Sequence, residues 1–405
     1  KEMEALLLSE PEWITNVIAK FVNASTLDGF NPYRITREGI DWEIPDPGNP
    51  WSNIGYWGDH QISYLTRLLE LSHHINPSSL TQWMTAPLFS YADVPYRLRS
   101  HEDIVHDPRR TIAFDTTAHE EALQRADTIG SDGLLVHHEG SVVLGTLAEK
   151  LLVPILAKLS SLVPDGGIWM NTQRPEWNDA NNALAGYGLS MVTACYLRRH
   201  LAVVSERMEH TPGETTLRAT VAEWMSSLST VFTQQKDLLK EPRLSDEDRR
   251  VVIDALGRAF EKYRTVQHED YSHTTVPLSN CVQFCHTAIA WLDHCIAANS
   301  RPDGLRHGYN LIRFEKNGAS ITHLPEMLEG QVATLASGVL TSSESADLLE
   351  NLFDSNLYRA DHDTFLLYPE KHIPSIMDKG IIDTNHCSKN PIITRSLKLM
   401  DTRLV

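Results

Sequence analysis

Apolar positions recur at helical spacing along most of this chain. Leu6, Leu7, Trp13, Ile14, Val17, Ile18, Phe21 and Val22 predict a largely helical segment over 2–23, broken or restarted at Pro11. Ile62, Leu65, Leu68, Leu69 and Ile75 give an amphipathic helix over 58–75. Thr117 and Glu120 have the spacing of a capping box and open another helix. Residues 142–162 are strongly apolar, the pattern of a buried helix, with a bend expected at Pro154. Small and apolar residues over 180–194 predict a further, closely packed helix. Leu217, Val221, Trp224, Met225, Leu228 and Val231 mark the next, and Ser245 with Asp248 caps one that ends near Tyr263. Helices over 276–298 and 342–356 follow. Residues 310–324 break the pattern and read as a β-hairpin turning at Asn317-Gly318, with Pro325 opening the helix after it. The stretches 31–53 and 88–116 read as irregular, the first carrying Tyr33, Trp42 and Trp51.

One stretch is too polar for an ordinary core. Between Arg174 and Ala183 stand one guanidinium, two carboxylates, three carboxamides and an indole. Buried polar groups need partners, so such a cluster belongs on a loop. Pro175 resists helix, and Asn178 or Asp179 can cap the helix that follows. A cap alone leaves Arg174, Glu176 and Trp177 unexplained. An indole beside carboxylates and amides suits a sugar: the ring covers an apolar sugar face, the amides and acids take hydroxyls, and one acid protonates a leaving oxygen.

The run Gly167-Ile168-Trp169-Met170, followed by Glu176-Trp177-Asn178-Asp179-Ala180-Asn181-Asn182, resembles a motif of the cellobiose phosphorylase family (glycoside hydrolase family 94) and of cyclic glucan synthases. In that family a Gly-Leu-Pro-Leu segment leads into Asp-Trp-Asn-Asp, whose second aspartate is the general acid. The resemblance implies Asp179 as the acid, with Trp177 and Asn178 lining the sugar site; Arg174, Glu176 and Asn182 of the same polar cluster are further candidates to bind the sugar. Glu176 departs from the family's aspartate. Upstream, Gly55-Tyr56-Trp57-Gly58-Asp59-His60-Gln61 is similar to the family's Gly-Tyr-Arg-Asp-x-x-Gln segment. It implies Asp59 as the holder of the transferred sugar, with Tyr56, Trp57 and Gln61 beside it. The family's arginine is replaced here by Trp57 and Gly58. The two motifs cover about thirty residues, a likeness at superfamily level.

Periodicity alone gives a large, mainly α domain. The resemblance adds an (α/α)6 toroid with a small β-hairpin insertion, residues 1–405 forming one catalytic domain. A full toroid needs twelve helices and about ten are legible, so part of the ring, or a longer protein, is expected beyond this chain. The implied reaction is cleavage of a glycosidic bond with inversion. The attacking group is water or inorganic phosphate as co-substrate, and no other cofactor is expected. An inverting hydrolase needs a second carboxyl roughly 6.5–9.5 Å from the acid. The rival from another class is a glycan-binding or scaffold protein that keeps the toroid without the chemistry.

Composition narrows the partners. Of 405 residues, 41% are hydrophobic and 22% charged, the balance of a globular protein with a substantial core. A net charge of −17 disfavours nucleic acid and anionic membranes and is compatible with a neutral oligosaccharide or glycoside. No apolar run is long enough to span a membrane. Five cysteines, an odd and sparse set, do not suggest a disulfide scaffold. Cys281, Cys285, His286, His294 and Cys295 match no common zinc spacing, so no metal is expected. A cytoplasmic location is expected, and Lys1 is not read as a natural start. A second polar cluster, 268–275, lies between two helices, where His273 and Thr274 are candidates to hold phosphate.

Overall fold

The computed structural model describes residues 2–7, 9–32, 34–36, 39–41, 61–170 and 184–370, with a few isolated positions beyond 370. The protein is mainly helical with short antiparallel strands. Five long helices form its centre: α1 (Leu147–Leu159), α2 (Met191–Glu209), α3 (Ala219–Gln234), α4 (Asp246–Val266) and α5 (Leu278–Ala298). In α1 every residue except Lys158 is buried, as expected of a helix apolar on all sides. Thr146 starts it by accepting from the Glu149 N–H at 3.2 Å, and Pro154 sits inside it. Ser190 and Ser245 cap α2 and α4 in the same way, through the N–H groups of Thr193 and Asp248. Around α1 the core closes on Trp224, whose ring stacks on Phe260 and Tyr263 and whose Nε1 donates to Ser160 Oγ at 3.1 Å.

The helices run alternately between two small sheets. At one end, Glu214–Arg218 joins α2 to α3, and His273–Pro277 joins α4 to α5. These two strands pair antiparallel, Leu217 opposite Thr274 and Arg218 opposite His273. The start of α1 is tied there as well, by Thr146 Oγ1 to Thr215 Oγ1 at 3.1 Å. At the other end lies a five-stranded antiparallel meander: β1 (Leu162–Val163), β2 (Gly167–Trp169), β3 (Gly188–Ser190), β4 (Tyr309–Phe314) and β5 (Ala319–His323), neighbours in that order. The β1–β2 turn is gripped at Asp165, which takes hydrogen bonds from Arg249 Nη2 at 3.1 Å and Leu244 N at 2.7 Å. Gly167 has φ +111, and a Cβ there would stand 2.7 Å from the Ser190 carbonyl oxygen, so the β2–β3 approach requires glycine.

Several element ends differ from the sequence reading. Residues 142–162 yield α1 flanked by strands, because the apolar run continues into sheet positions at both ends. The helix expected over 180–194 is interrupted by β3, where Gly186 (φ +82) turns the chain and Gly188 permits close approach to Leu184. The capping residue of Thr116–Ile129 is Asp115, which accepts from Ala118 N at 3.0 Å, and not Thr117. Pro325 does not open the following helix, α6 (Leu328–Ala336), whose N-cap is Met327. The hairpin at 310–324 is present as β4–β5, and Glu315 N donates to Gly318 O at 2.9 Å across its turn.

Candidate functional site

A cavity of about 550 Å³ opens at the five-stranded end. Its walls come from elements far apart in sequence. A π-helical turn, Gln61–Leu65, brings Ile62, Ser63 and Tyr64 to it, and the helix that continues, Thr66–Ile75, adds Thr66 and Arg67. Single π turns inside helices are frequent at functional sites, because the extra residue re-aims the side chains. The last turn of α1 contributes Ala157 and Lys158, and β2 contributes Ile168 and Trp169. From α2 come Val192, Thr193, Tyr196 and Arg199, the i, i+1, i+4 and i+7 positions of one face. Tyr309 of β4 and Leu328, Glu329 and Val332 of α6 close another side. Aromatic rings and hydroxyls share this lining with aliphatic side chains, a mixture that accepts a ligand with apolar faces and a polar rim.

Its charges are mostly matched. Arg67 Nε meets Glu4 Oε1 at 2.7 Å, and Arg199 holds both oxygens of Glu70, from Nε at 2.6 Å and from Nη2 at 2.7 Å. Glu329 Oε2 accepts from the Tyr309 hydroxyl at 2.9 Å. Trp169 is fixed by donating from Nε1 to Gly186 O at 2.8 Å and by a tilted contact with Phe314. Behind the wall, His200 is fully buried, with Nδ1 2.7 Å from Thr66 Oγ1. Thr66 gives its own proton to Ile62 O, so His200 Nδ1 is the donor, and burial pushes the imidazole down to about 3. Burial likewise raises the Tyr196 hydroxyl above its ordinary value.

Of the residues the sequence singled out, Tyr56, Trp57, Asp59, Arg174, Glu176, Trp177, Asn178, Asp179 and Asn182 lie outside the described residues. Gln61 opens the π turn. What the structure does bring together are the neighbours of both motifs. Ile62, just after the first, and Met170, just before the second, line the same cavity. Leu184, just after the second, packs with Met170, Tyr309 and Met327.

His273 and Thr274 do not border this cavity. Both are exposed on the strand at the opposite end of the helices. That strand's partner is bound to the start of α1, whereas the cavity touches the end of α1, about 18 Å away at 1.5 Å per residue. Sequence reasoning in turn missed Tyr64, Lys158, Tyr196, Tyr309 and Glu329. The available signal was polar side chains interrupting otherwise apolar helix faces, as Thr193, Tyr196 and Arg199 do on α2.

Buried around α1 is a second polar network. Glu149 accepts from Tyr91 Oη and from the Arg218 N–H, and pairs with Arg218 Nε at 3.2 Å. Arg218 Nη2 donates to Tyr263 Oη at 2.8 Å, and Tyr263 passes its proton to Leu27 O at 2.7 Å. Burial would lower the Arg218 guanidinium, but the surrounding Tyr263, Glu149 and Tyr91 raise it. Lys150 donates to the Ser90 and Ser25 carbonyls and lies 3.5 Å over the Tyr91 ring, with burial holding it well below its usual value. These groups satisfy one another and tie the strand Glu214–Arg218 to α1.

Among the described residues no group of three His, Cys, Asp or Glu is arranged to hold a metal ion, and Cys195, Cys281, Cys285 and Cys295 are free and buried. No described helix is long and apolar enough to cross a membrane. The chain matches no protein-family model, and no curated protein matches it in sequence.

Proposed function

We propose that the protein cleaves a glycosidic bond with inversion, Asp179 protonating the leaving oxygen while Asp59 and Trp177 hold the sugar at the bond that breaks. The carrying observation is the convergence on one cavity. The two motifs are more than a hundred residues apart in sequence, yet Ile62 and Met170, which adjoin them, border the same space. The ligand class is supported by the lining, in which Tyr64, Tyr196, Tyr309 and Trp169 alternate with Ser63, Thr66, Ser190 and Thr193. Rings cover the apolar faces of a sugar and hydroxyls meet its rim. A volume of about 550 Å³ falls within the usual range for sites that enclose small ligands.

The fold that goes with this reading is an (α/α)6 toroid, whole or in part. Its support is the alternation of α1 to α5 between two ends, with the cavity confined to one of them. The direct test is an assay across disaccharides and aryl glycosides, with and without inorganic phosphate, reading free sugar and sugar phosphate. Release of either product by the wild-type protein, lost in Asp179→Asn, supports the reading. Ligand binding with no product from any substrate points instead to a glycan-binding protein.

A further inference from the structure

Resting on that reading, we infer that Glu329 is the base that activates water, so that the bond is broken by hydrolysis and not by phosphate. Two carboxylates among the described residues border the cavity, Glu4 and Glu329. Glu4 is in an ion pair with Arg67. Glu329 is in none among the described residues. Its one hydrogen bond comes from the neutral Tyr309 hydroxyl to Oε2, which leaves Oε1 without a partner there. A base needs that arrangement, one oxygen held and the other open to take a proton.

Its position is set by the fold. Glu329 stands in the first turn of α6, where a carboxylate is favoured by the helix dipole. Tyr309 comes from β4, so helix and sheet fix the carboxyl jointly. Met170 and Leu184, the residues on either side of the Asp179 segment, pack in one cluster with Tyr309 and with Met327, two residues before Glu329. The wall that carries the carboxylate is thus the wall from which that segment leaves and to which it returns. Phosphate is disfavoured by the same lining: Arg67 and Arg199 are each matched to a glutamate, the third cation, Lys158, is itself engaged, and the charge of Glu329, in no ion pair among the described residues, would repel a dianion.

The step balances as follows. Water oxygen adds to the anomeric carbon while the carbon–oxygen bond to the leaving group breaks. The electron pair of that bond stays on the leaving oxygen, which takes the proton of the acid assigned to Asp179. The proton lost by water goes to Glu329. The products are two hydroxyl compounds, and the proton returns from Glu329 to Asp179 through solvent.

The test compares wild type, Glu329→Gln and Asp179→Asn on disaccharides and on 4-nitrophenyl glycosides of both anomers, with and without inorganic phosphate. Glu329→Gln keeps the bond from Tyr309 and cannot accept a proton. It should lose about 10²–10⁴-fold in kcat on both substrate types, with KM and melting temperature little changed. Asp179→Asn should spare the nitrophenyl glycosides, which need no acid. Azide added to Glu329→Ala should give a glycosyl azide of inverted configuration, because azide attacks without surrendering a proton. Wild-type hydrolysis with Glu329→Gln at full rate overturns the base and leaves the glycosidase reading standing. Activity that requires phosphate overturns hydrolysis alone. No cleavage of any glycoside by the wild type overturns both.

Discussion

Arg199 donates to both carboxylate oxygens of Glu70, so a guanidinium that borders the cavity is already matched to an anion. Removing Glu70 should therefore create an anion site. Glu70→Ala is expected to be stabilised by inorganic phosphate in thermal melts, while the wild type is not. Without phosphate the loss should be modest, about 0.2–1 kcal/mol, because both side chains keep some exposure. Equal stabilisation of the two proteins by phosphate would show that Arg199 is not what limits anion binding.

Tyr196 is half-buried in the cavity wall, and its hydroxyl has no hydrogen-bond partner among the described residues. A sugar hydroxyl would supply one. Tyr196→Phe should weaken glycan binding by about 1 kcal/mol, roughly fivefold in Kd, and leave the melting temperature unchanged. Calorimetric titration of the variant with the same glycan checks it, and an unchanged Kd removes Tyr196 from the site.

How far the sequence shows all this depends on the kind of signal. Ser245 with Asp248 marks the start of α4 because a cap is local chemistry, and Asn317-Gly318 marks the β4–β5 turn for the same reason. The rest of the meander was not legible. β3 is three residues long, too short for a period of two to show, and it lies between helical patterns. Of the cavity lining, the motifs marked only Ile168, Trp169 and Met170. Tyr196, Tyr309 and Glu329 meet there through tertiary packing of α2, β4 and α6; the polar break in the face of α2 marks Tyr196, but nothing local says that the three converge. His273 and Thr274 show a further limit: a polar cluster between two helices marks a loop or edge strand at either end of a bundle, and sequence does not say which end; here it is the end away from the cavity.

His200 predicts a pH dependence of stability. Its folded pKa is depressed to about 3, whereas in the unfolded chain it is near 6.5. Between those values the unfolded state binds the extra proton, so stability falls as the pH is lowered through 6.5 and continues to fall toward 3. The slope from this one group approaches about 1.4 kcal/mol per pH unit. His307, pushed down to about 4 chiefly by burial, adds to it over part of the range. Urea midpoints at several pH values should show a shallower acid-side slope in His200→Gln, by close to one proton. An identical slope would mean that His200 is protonated in the folded protein.

The pair Arg218–Glu149 is buried at 0% and 1% exposure. Arg218→Met leaves Glu149 a buried charge without its cation and should cost about 3–5 kcal/mol. Replacing both, as Arg218→Met with Glu149→Leu, removes the stranded charge and should recover part of that loss, although Tyr91 then loses its acceptor. Denaturant unfolding of the two variants decides it. A double variant no more stable than Arg218→Met would show that the network, and not the stranded charge, governs the cost.

The central claim is acid-assisted cleavage by Asp179, and the most direct measurement is the turnover of Asp179→Asn on an ordinary disaccharide that the wild type cleaves. The account predicts a fall of about 10²–10⁴-fold in kcat, with sugar binding nearly unchanged and a much smaller effect on a nitrophenyl glycoside. Turnover of the disaccharide at the wild-type rate would contradict it, and Asp179 would then be a helix cap.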